Sequence, residues 1–442
     1  MEDFPQTPRF AIERLGPARI DNPLAPAGER AAPGAFVDDG EMVLYHNLYS
    51  GIERCGGLEK TPRMELAGPR RKIFFDPSKT RAGIVTCGGL CPGLNDVIRG
   101  LVRGLYHLYG VRKIYGFRYG FQGFIAKYGH PVANLDPDAV DAIHEQGGSI
   151  LASSRGEQDI GEVVDCLDRM DVNLLFAIGG DGTLRGALEI IREIGRRALN
   201  IAVVGIPKTI DNDIQYIDTS FGFRTAAASA VASLRSAHNE AKGAPNGIGL
   251  VKLMGRHSGF IACSATLASS ESNFTLIPEM PFRLDGPGGF LAQLEKRLER
   301  RGHALVVAAE GAGQDLLESE AGGREKDASG NVKLKDVGVF LRERIAAHFK
   351  AAGKEINLKY IDPSYIIRSV PASPDDNVFC GLLARDAVHA AMTGRTAMVV
   401  GNWSGRHVHV PMETAISERK TVDPHGALWR AVLETTGQPP ML

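Results

Sequence analysis

The sequence predicts an α/β protein with parallel-rich sheets, and three observations carry that expectation. Six apolar runs punctuate the chain: RAGIVT (81–86), NLLFAIGG (173–180), IAVVGIP (201–207), IGLVKLMG (248–255), ALVVAAEG (304–311) and TAMVVG (396–401). Each is followed by a glycine-containing turn and a helix-forming stretch, the signature of βα units. The runs are continuously apolar rather than alternating, as parallel strands covered on both faces must be. The sharpest polar motifs stand just beyond these runs, at the strand ends where such sheets collect ligands.

Before the first run, residues 1–75 are rich in Pro, Gly and Ala and weakly periodic, so they read as an N-terminal extension serving assembly or stability rather than chemistry. After the fifth run, the polar stretch from Gln314 to Lys335, containing AGGREKDASGN, reads as a surface excursion. A chain of 442 residues points to two packed domains or one large α/β unit with additions. Its 51 basic and 52 acidic residues nearly cancel, which argues against a nucleic-acid or membrane partner. Six cysteines without CxxC spacing fit buried thiols of a reducing compartment, with a Cys87–Cys91 redox pair as the alternative. The start MEDFPQTPRF lacks the basic, apolar character of a signal peptide and no run reaches transmembrane length, so the expected location is cytoplasmic.

The first turn, Cys87-Gly88-Gly89-Leu90-Cys91-Pro92-Gly93, lies between a strand and a helix, where glycines let backbone N–H groups approach a phosphate. A tight turn needing no ligand would look the same. The second turn, Gly179-Gly180-Asp181-Gly182-Thr183, sets a carboxylate among small residues that admit a polyphosphate. Thr183 can donate a hydrogen bond there, and Asp181 suits Mg²⁺, which takes one or two carboxylates together with phosphate oxygens. Next stands Pro207-Lys208-Thr209-Ile210-Asp211-Asn212-Asp213, whose two carboxylates can divide proton transfer from metal or orientation duties. Met254-Gly255-Arg256-His257-Ser258-Gly259 places an arginine at a strand end, suited to neutralising a phosphoryl group in flight, while His257 reads as a packing or capping residue. Glu310 in Ala309-Glu310-Gly311 follows the next run. Lys359, Tyr365 and Arg368, in KYIDPSYIIR, bring cations and a hydroxyl that complement a sugar phosphate.

In this order, GGDGT, PKTIDND, MGRHSG, AAEGAG and KYIDPSYIIR resemble the phosphofructokinase family over roughly residues 80–400. GGDG alone also occurs in NAD kinases and diacylglycerol kinases; PKTIDND and MGR set the chain apart from them. The resemblance implies two αβα Rossmann-like domains with parallel-rich sheets. An ATP-binding domain spans 76–222, with the chain returning after about 367; a fructose 6-phosphate-binding domain spans 223–366, and 367–442 forms the return and tail. The implied reaction moves the γ-phosphate of ATP to the 1-hydroxyl of fructose 6-phosphate, with Mg²⁺ as cofactor, in a homodimer or homotetramer.

Carried over by position, Asp211 resembles the general base, with Thr209 and Asp213 beside it, and Arg256 the transition-state cation. Ile210, Met254 and Gly255 lie against the sugar. Glu310 resembles the ligand of its hydroxyls, and Lys359, Tyr365 and Arg368 the phosphate side of that pocket. Gly88, Gly89, Phe121, Arg155, Gly156, Gly180, Asp181, Gly182, Thr183 and Gly186 align with the nucleotide and Mg²⁺ site; Phe121 stands where tyrosine is frequent, so only stacking is implied. Two departures are visible. Gly247 replaces an arginine that in the shorter bacterial type crosses a subunit interface, and the regulatory nucleotide pocket of that type does not trace.

The donor is set by two positions. In the family, aspartate after GGD together with lysine in PKT marks pyrophosphate use, and glycine at both marks ATP use; here the pair is Gly182 and Lys208. An aspartate at 182 would repel the α-phosphate by charge and volume, whereas Lys208 is a flexible cation able to accompany either donor. ATP is therefore the expected donor. A pyrophosphate-dependent enzyme is the alternative, and a regulatory or scaffold subunit the non-enzyme one.

Overall fold

The computed structural model describes residues 8–25, 36–318 and 334–440. The chain divides into two compact units, one of Met1–Thr209, Ile214–Gly222 and Val370–Glu418, the other of Ile210–Asp213, Phe223–Ser369 and Arg419–Leu442. All six apolar runs fold as strands, and the expected α/β class is what the chain adopts: Arg81–Thr86, Leu174–Gly179, Ala202–Pro207, Gly247–Leu253, His303–Ala309 and Met398–Trp403. Their side chains are almost entirely buried, because helices cover both faces as the unbroken apolar patterns require. Of the polar excursion, Gln314–Glu318 is a short helix and residues 319–333 lie outside the described residues.

Among the described residues, the first unit holds a nine-stranded sheet. Its parallel centre runs, side by side, Lys113–Phe117, Arg81–Thr86, Leu174–Gly179, Ala202–Pro207 and Met398–Trp403. Chain order therefore reverses between the strands of 81–86 and 174–179: the first continues to one side, the second to the other. Their carboxyl ends diverge, and that is where an open α/β sheet has its ligand crevice.

The antiparallel flank on the far side is Arg406–Pro411, Arg63–Leu66 and Met42–Leu44. The last two come from the stretch expected as an extension, so residues 42–44 and 63–66 are structural members of this sheet. Glu65 explains the fastening. It is 8% exposed, and its carboxylate accepts from Arg14 (2.9 Å), Arg395 (2.7 Å) and His409 (3.2 Å). Burial opposes the charge, but His409 and Arg395 outweigh it and hold the carboxyl far below the ordinary range.

A depressed carboxyl contributes stability above its unfolded value and loses it as pH falls through its folded one. Glu65→Gln should therefore cost about 3 kcal/mol at neutral pH. Thermal melts should show the gap to wild type closing in acid; an equal gap at pH 3 and 7 contradicts the account.

The second unit has a four-stranded, wholly parallel sheet in the order Phe274–Leu276, His303–Ala309, Gly247–Leu253, Asn357–Ile361. The register pairs Leu253 with Ala309, so the turns that follow, Met254-Gly255-Arg256 and Glu310-Gly311, leave adjacent strands at the same level. Its core is a separate cluster around Phe274, Phe290, Leu294, Val306 and Leu341.

Candidate active site

In the first unit, both glycine turns open at the diverging strand ends. Gly180 precedes the helix Asp181–Arg196, whose buried face repeats at Leu184, Ala187, Ile190 and Ile194, the spacing of an amphipathic helix on a sheet. That face fixes the axis, and the helix N-terminus, the positive end of its dipole, meets the crevice. A Cβ at Gly179 would fall 2.1 Å from Thr183 Oγ1, so only glycine lets the strand turn straight into the helix. At Gly182 a Cβ would meet nothing within 4 Å; the space over this exposed glycine is open.

The other candidates of this unit converge on the same place. Gly88, at φ +83°, donates its N–H to Ser154 O (3.1 Å) and accepts from Ser153 Oγ (2.6 Å), tying the loop that carries exposed Arg155 and Gly156 to the first turn. Phe121 lies against Gly186, where a Cβ would come 2.8 Å from the ring. Phe121 is thus placed beside the helix that starts at Asp181.

Lys208 corrects the sequence reading. Rather than a flexible cation, it is 6% exposed, and its Nζ donates to Gly89 O at 2.6 Å. The strand Leu174–Gly179 lies between Ala202–Pro207 and the first turn's strand, and the long side chain reaches across the end of that intervening strand. Cys87 and Cys91 are buried thiols; burial pushes Cys87 up to about 12, which leaves no thiolate for redox exchange near neutrality.

Asp181 is partly exposed and its carboxylate lies 3.3 Å from Arg185, one turn along the helix. Among the described residues no group of three or more His, Cys, Asp or Glu could hold a metal ion. The donor set suits a hard cation that binds one carboxylate and takes its remaining oxygens from phosphate and water.

The second unit gathers the acids. Ile210–Asp213 belongs to it, and Asn212 sits there at φ +56°, a left-handed conformation that asparagine accepts more readily than most residues and that turns the chain sharply between Asp211 and Asp213. Ser258 Oγ donates to Asp211 O (2.9 Å), and the Arg256 backbone N–H bonds the Asp211 carboxylate. Asp213 is held by Arg419 Nη1 (3.1 Å) and by the Lys420 N–H to its carbonyl (2.9 Å). Burial first, then the charges of Asp213 and Glu310, raise the Asp211 carboxyl well above its ordinary value. Burial likewise raises Glu310, against the pull of Arg256 and Lys252.

The turns behind these groups are exact in their spacing. Gly255, at φ +130°, has no room for a Cβ because Ser258 O lies 2.5 Å away, and a Cβ at Gly311 would strike Arg256 O at 2.1 Å. Both glycines let the 254–258 and 309–311 turns touch, which brings Arg256 alongside Glu310.

In KYIDPSYIIR, Arg368 stacks over the Tyr365 ring at 4.5 Å, and buried Lys252 anchors the segment through Asp362 at 2.9 Å. Tyr365 is 74% exposed on the short helix Ser364–Ile367. Lys359 stands apart, exposed on the edge strand Asn357–Ile361 opposite Gly249, with no hydrogen bond or ion pair among the described residues. Sequence reasoning missed Arg419, whose distance from Asp213 along the chain hides the pairing; the adjacent basic pair Arg419-Lys420 is the trace it leaves.

A family model described as phosphofructokinase matches residues 81–391. The chain is 48% identical over 436 residues to the ATP-dependent 6-phosphofructokinase of Borreliella burgdorferi, covering 97% of each. It is 49% identical over 435 residues to the protein of that name from Amycolatopsis methanolica, covering 97% of this chain and 94% of that one. The crystal structure of a pyrophosphate-dependent phosphofructokinase from Marinobacter aquaeolei superposes with a TM-score of 0.65 at 20% identity, covering 81% of this chain and 91% of that one, a likeness of fold.

Proposed function

Because the chain belongs to the phosphofructokinase family, we infer that it is an ATP-dependent 6-phosphofructokinase, transferring the γ-phosphate of ATP to the 1-hydroxyl of fructose 6-phosphate to give fructose 1,6-bisphosphate and ADP. The observation that carries the mechanism is the raised carboxyl of Asp211, held in place by Ser258 and the Arg256 backbone. A buried carboxylate whose pKa is raised is a stronger acceptor for a hydroxyl proton than an ordinary one. Asp211 takes the proton of the 1-hydroxyl as its oxygen bonds to phosphorus, and the bond from phosphorus to the bridging oxygen breaks toward ADP. Arg256 meets the charge on the transferring group, Glu310 orients the sugar hydroxyls, and Tyr365 with Arg368 holds the 6-phosphate.

The first unit carries the donor: the small residues Gly89, Gly180 and Gly182 leave room for the phosphates beside the two turns, and Phe121 backs the nucleotide. Mg²⁺, bound by Asp181 and phosphate oxygens, would neutralise the donor's charge. The reading includes a cytoplasmic homo-oligomer; no helix among the described residues is long and apolar enough to cross a membrane.

A coupled assay with fructose 6-phosphate and Mg²⁺, comparing ATP with pyrophosphate, tests the reading. Turnover with ATP and negligible turnover with pyrophosphate are expected; equal rates overturn the donor assignment. The open space at Gly182 gives a second test. Gly182→Asp places a carboxylate where the α-phosphate would lie, and kcat/KM for ATP should fall at least about tenfold without pyrophosphate activity necessarily appearing. Unchanged ATP kinetics would mean that the nucleotide does not pass over this glycine.

A further inference from the structure

A second cationic recess lies in the first unit, lined by none of the catalytic motifs and built partly on two small two-stranded sheets, Glu13–Arg14 with Arg395–Thr396 and Ile20–Asp21 with Lys72–Ile73. Arg14, Arg70, Arg71, Lys72 and Arg395 border a cavity of about 550 Å³. Arg70 and Arg395 are 5% and 2% exposed, so two guanidiniums are built into the fold there. Arg395 is locked by Glu65 (2.7 Å) and Thr393 Oγ1 (2.7 Å), and Arg70 by the carbonyls of Gly68 (2.9 Å) and Leu66 (2.6 Å).

Both aim their remaining donors at one group, the carboxylate of Asp39. Its Oδ1 accepts from Arg395 Nη2 (2.9 Å) and Arg70 Nε (3.0 Å), and its Oδ2 from Arg14 Nη1 (3.2 Å). A single carboxylate thus receives three arginines, an arrangement whose planar donor forks match a phosphate better than one acid. Asp39 itself is 58% exposed and stands on an exposed turn closed by Glu41 N–H to Asp38 O at 3.1 Å. Among the residues lining the recess, the basic Arg14, Arg70, Arg71, Lys72 and Arg395 outnumber the acidic Asp38 and Asp39. The neighbouring acids are otherwise engaged or outside: Glu65 lies behind Arg395 and Arg14, Asp21 pairs with Lys72 at 2.6 Å, and Asp38 is on the rim.

We propose that this recess binds a phosphoryl anion, with Arg14, Arg70 and Arg395 as its cradle and Arg71 and Lys72 at its mouth, and that the Asp39 carboxylate occupies the anion position until displaced. The exposed acid swings out with its turn while the two buried guanidiniums stay fixed, so the receiving geometry is preformed. Pro17 and Val37 on the cavity wall would accept an apolar part of a phosphorylated metabolite.

The test uses inorganic phosphate as probe, at constant ionic strength, with fructose 6-phosphate, ADP and Mg²⁺ filling the catalytic pockets without turnover. Thermal melting of the full chain should rise saturably with phosphate. Asp39→Asn, which keeps the shape but removes the competing charge, should reach half-saturation at a phosphate concentration at least about threefold lower, and Arg71→Ala/Lys72→Ala should raise it by about tenfold. Neither mouth residue is buried, so the double variant folds. Absence of a saturable shift in both wild type and Asp39→Asn overturns the proposal, as does an undiminished shift in Arg71→Ala/Lys72→Ala.

Discussion

Asp211→Asn is expected to lower kcat by about 10²-fold or more while leaving the fold and the affinity for fructose 6-phosphate intact. The amide keeps the shape, and its oxygen still accepts from the Arg256 N–H, so the loop should hold its place. What disappears is the acceptor for the hydroxyl proton. The same raised carboxyl has a consequence for stability. A carboxyl whose folded value lies above its unfolded one binds more protons in the native state, so the stability it confers exists at low pH and is lost as pH rises to its folded value. Whenever it is ionised the group is a liability held among Asp213 and Glu310, and removing its charge should raise the melting temperature or leave it unchanged. In wild type, kcat should fall on the acid side as Asp211 takes up its proton, and this limb should vanish from the residual rate of the variant. A variant with near-normal kcat would remove Asp211 from the base role; one that melts well below wild type would show that the charge is held by partners stronger than its neighbours' repulsion.

The strands and their turns were legible because burial on both faces leaves an unbroken apolar run, and because glycines cluster wherever strands meet helices tightly. Gly179, Gly255 and Gly311 illustrate the second signal: at each, a side chain would overlap an atom that the local turn cannot move. The reach of the sheet into residues 42–44 and 63–66 was hidden, since Met42–Leu44 and Arg63–Leu66 are short strands whose pairing is set by Glu65, Arg395 and His409, residues more than three hundred positions apart. Lys208 was misread for a related reason. Nothing beside PKT in the chain tells that Gly89 O stands at the end of its side chain; only the strand order brings the two together. Charged pairs across long sequence separations, such as Arg419 with Asp213, carry no period and no spacing, so local pattern reading passes over them.

Arg256→Ala should reduce kcat by about 10²- to 10³-fold and change the KM for ATP far less, because a cation placed for the transferring phosphoryl group acts mainly when its charge is redistributed. The structure gives the residue the rigidity this needs. Its backbone is pressed against Gly311 and its N–H is engaged with Asp211, so the guanidinium departs from a fixed base rather than from a free loop. Its charge also pulls down the Glu310 carboxyl against burial, and without it Glu310 should rise further above its ordinary value. Arg256→Lys separates the two contributions. Lysine restores a positive charge beside Glu310 but not the planar fork that can grip two phosphoryl oxygens, so its kcat should lie between those of wild type and Arg256→Ala. Full rescue by lysine would reduce the role to bulk charge. An effect of Arg256→Ala confined to the KM for ATP would instead make the residue a ground-state ligand of the nucleotide, and the cation serving the transition state would then have to be sought among the other basic residues of the second unit, with Arg419 beside Asp213 the first to test.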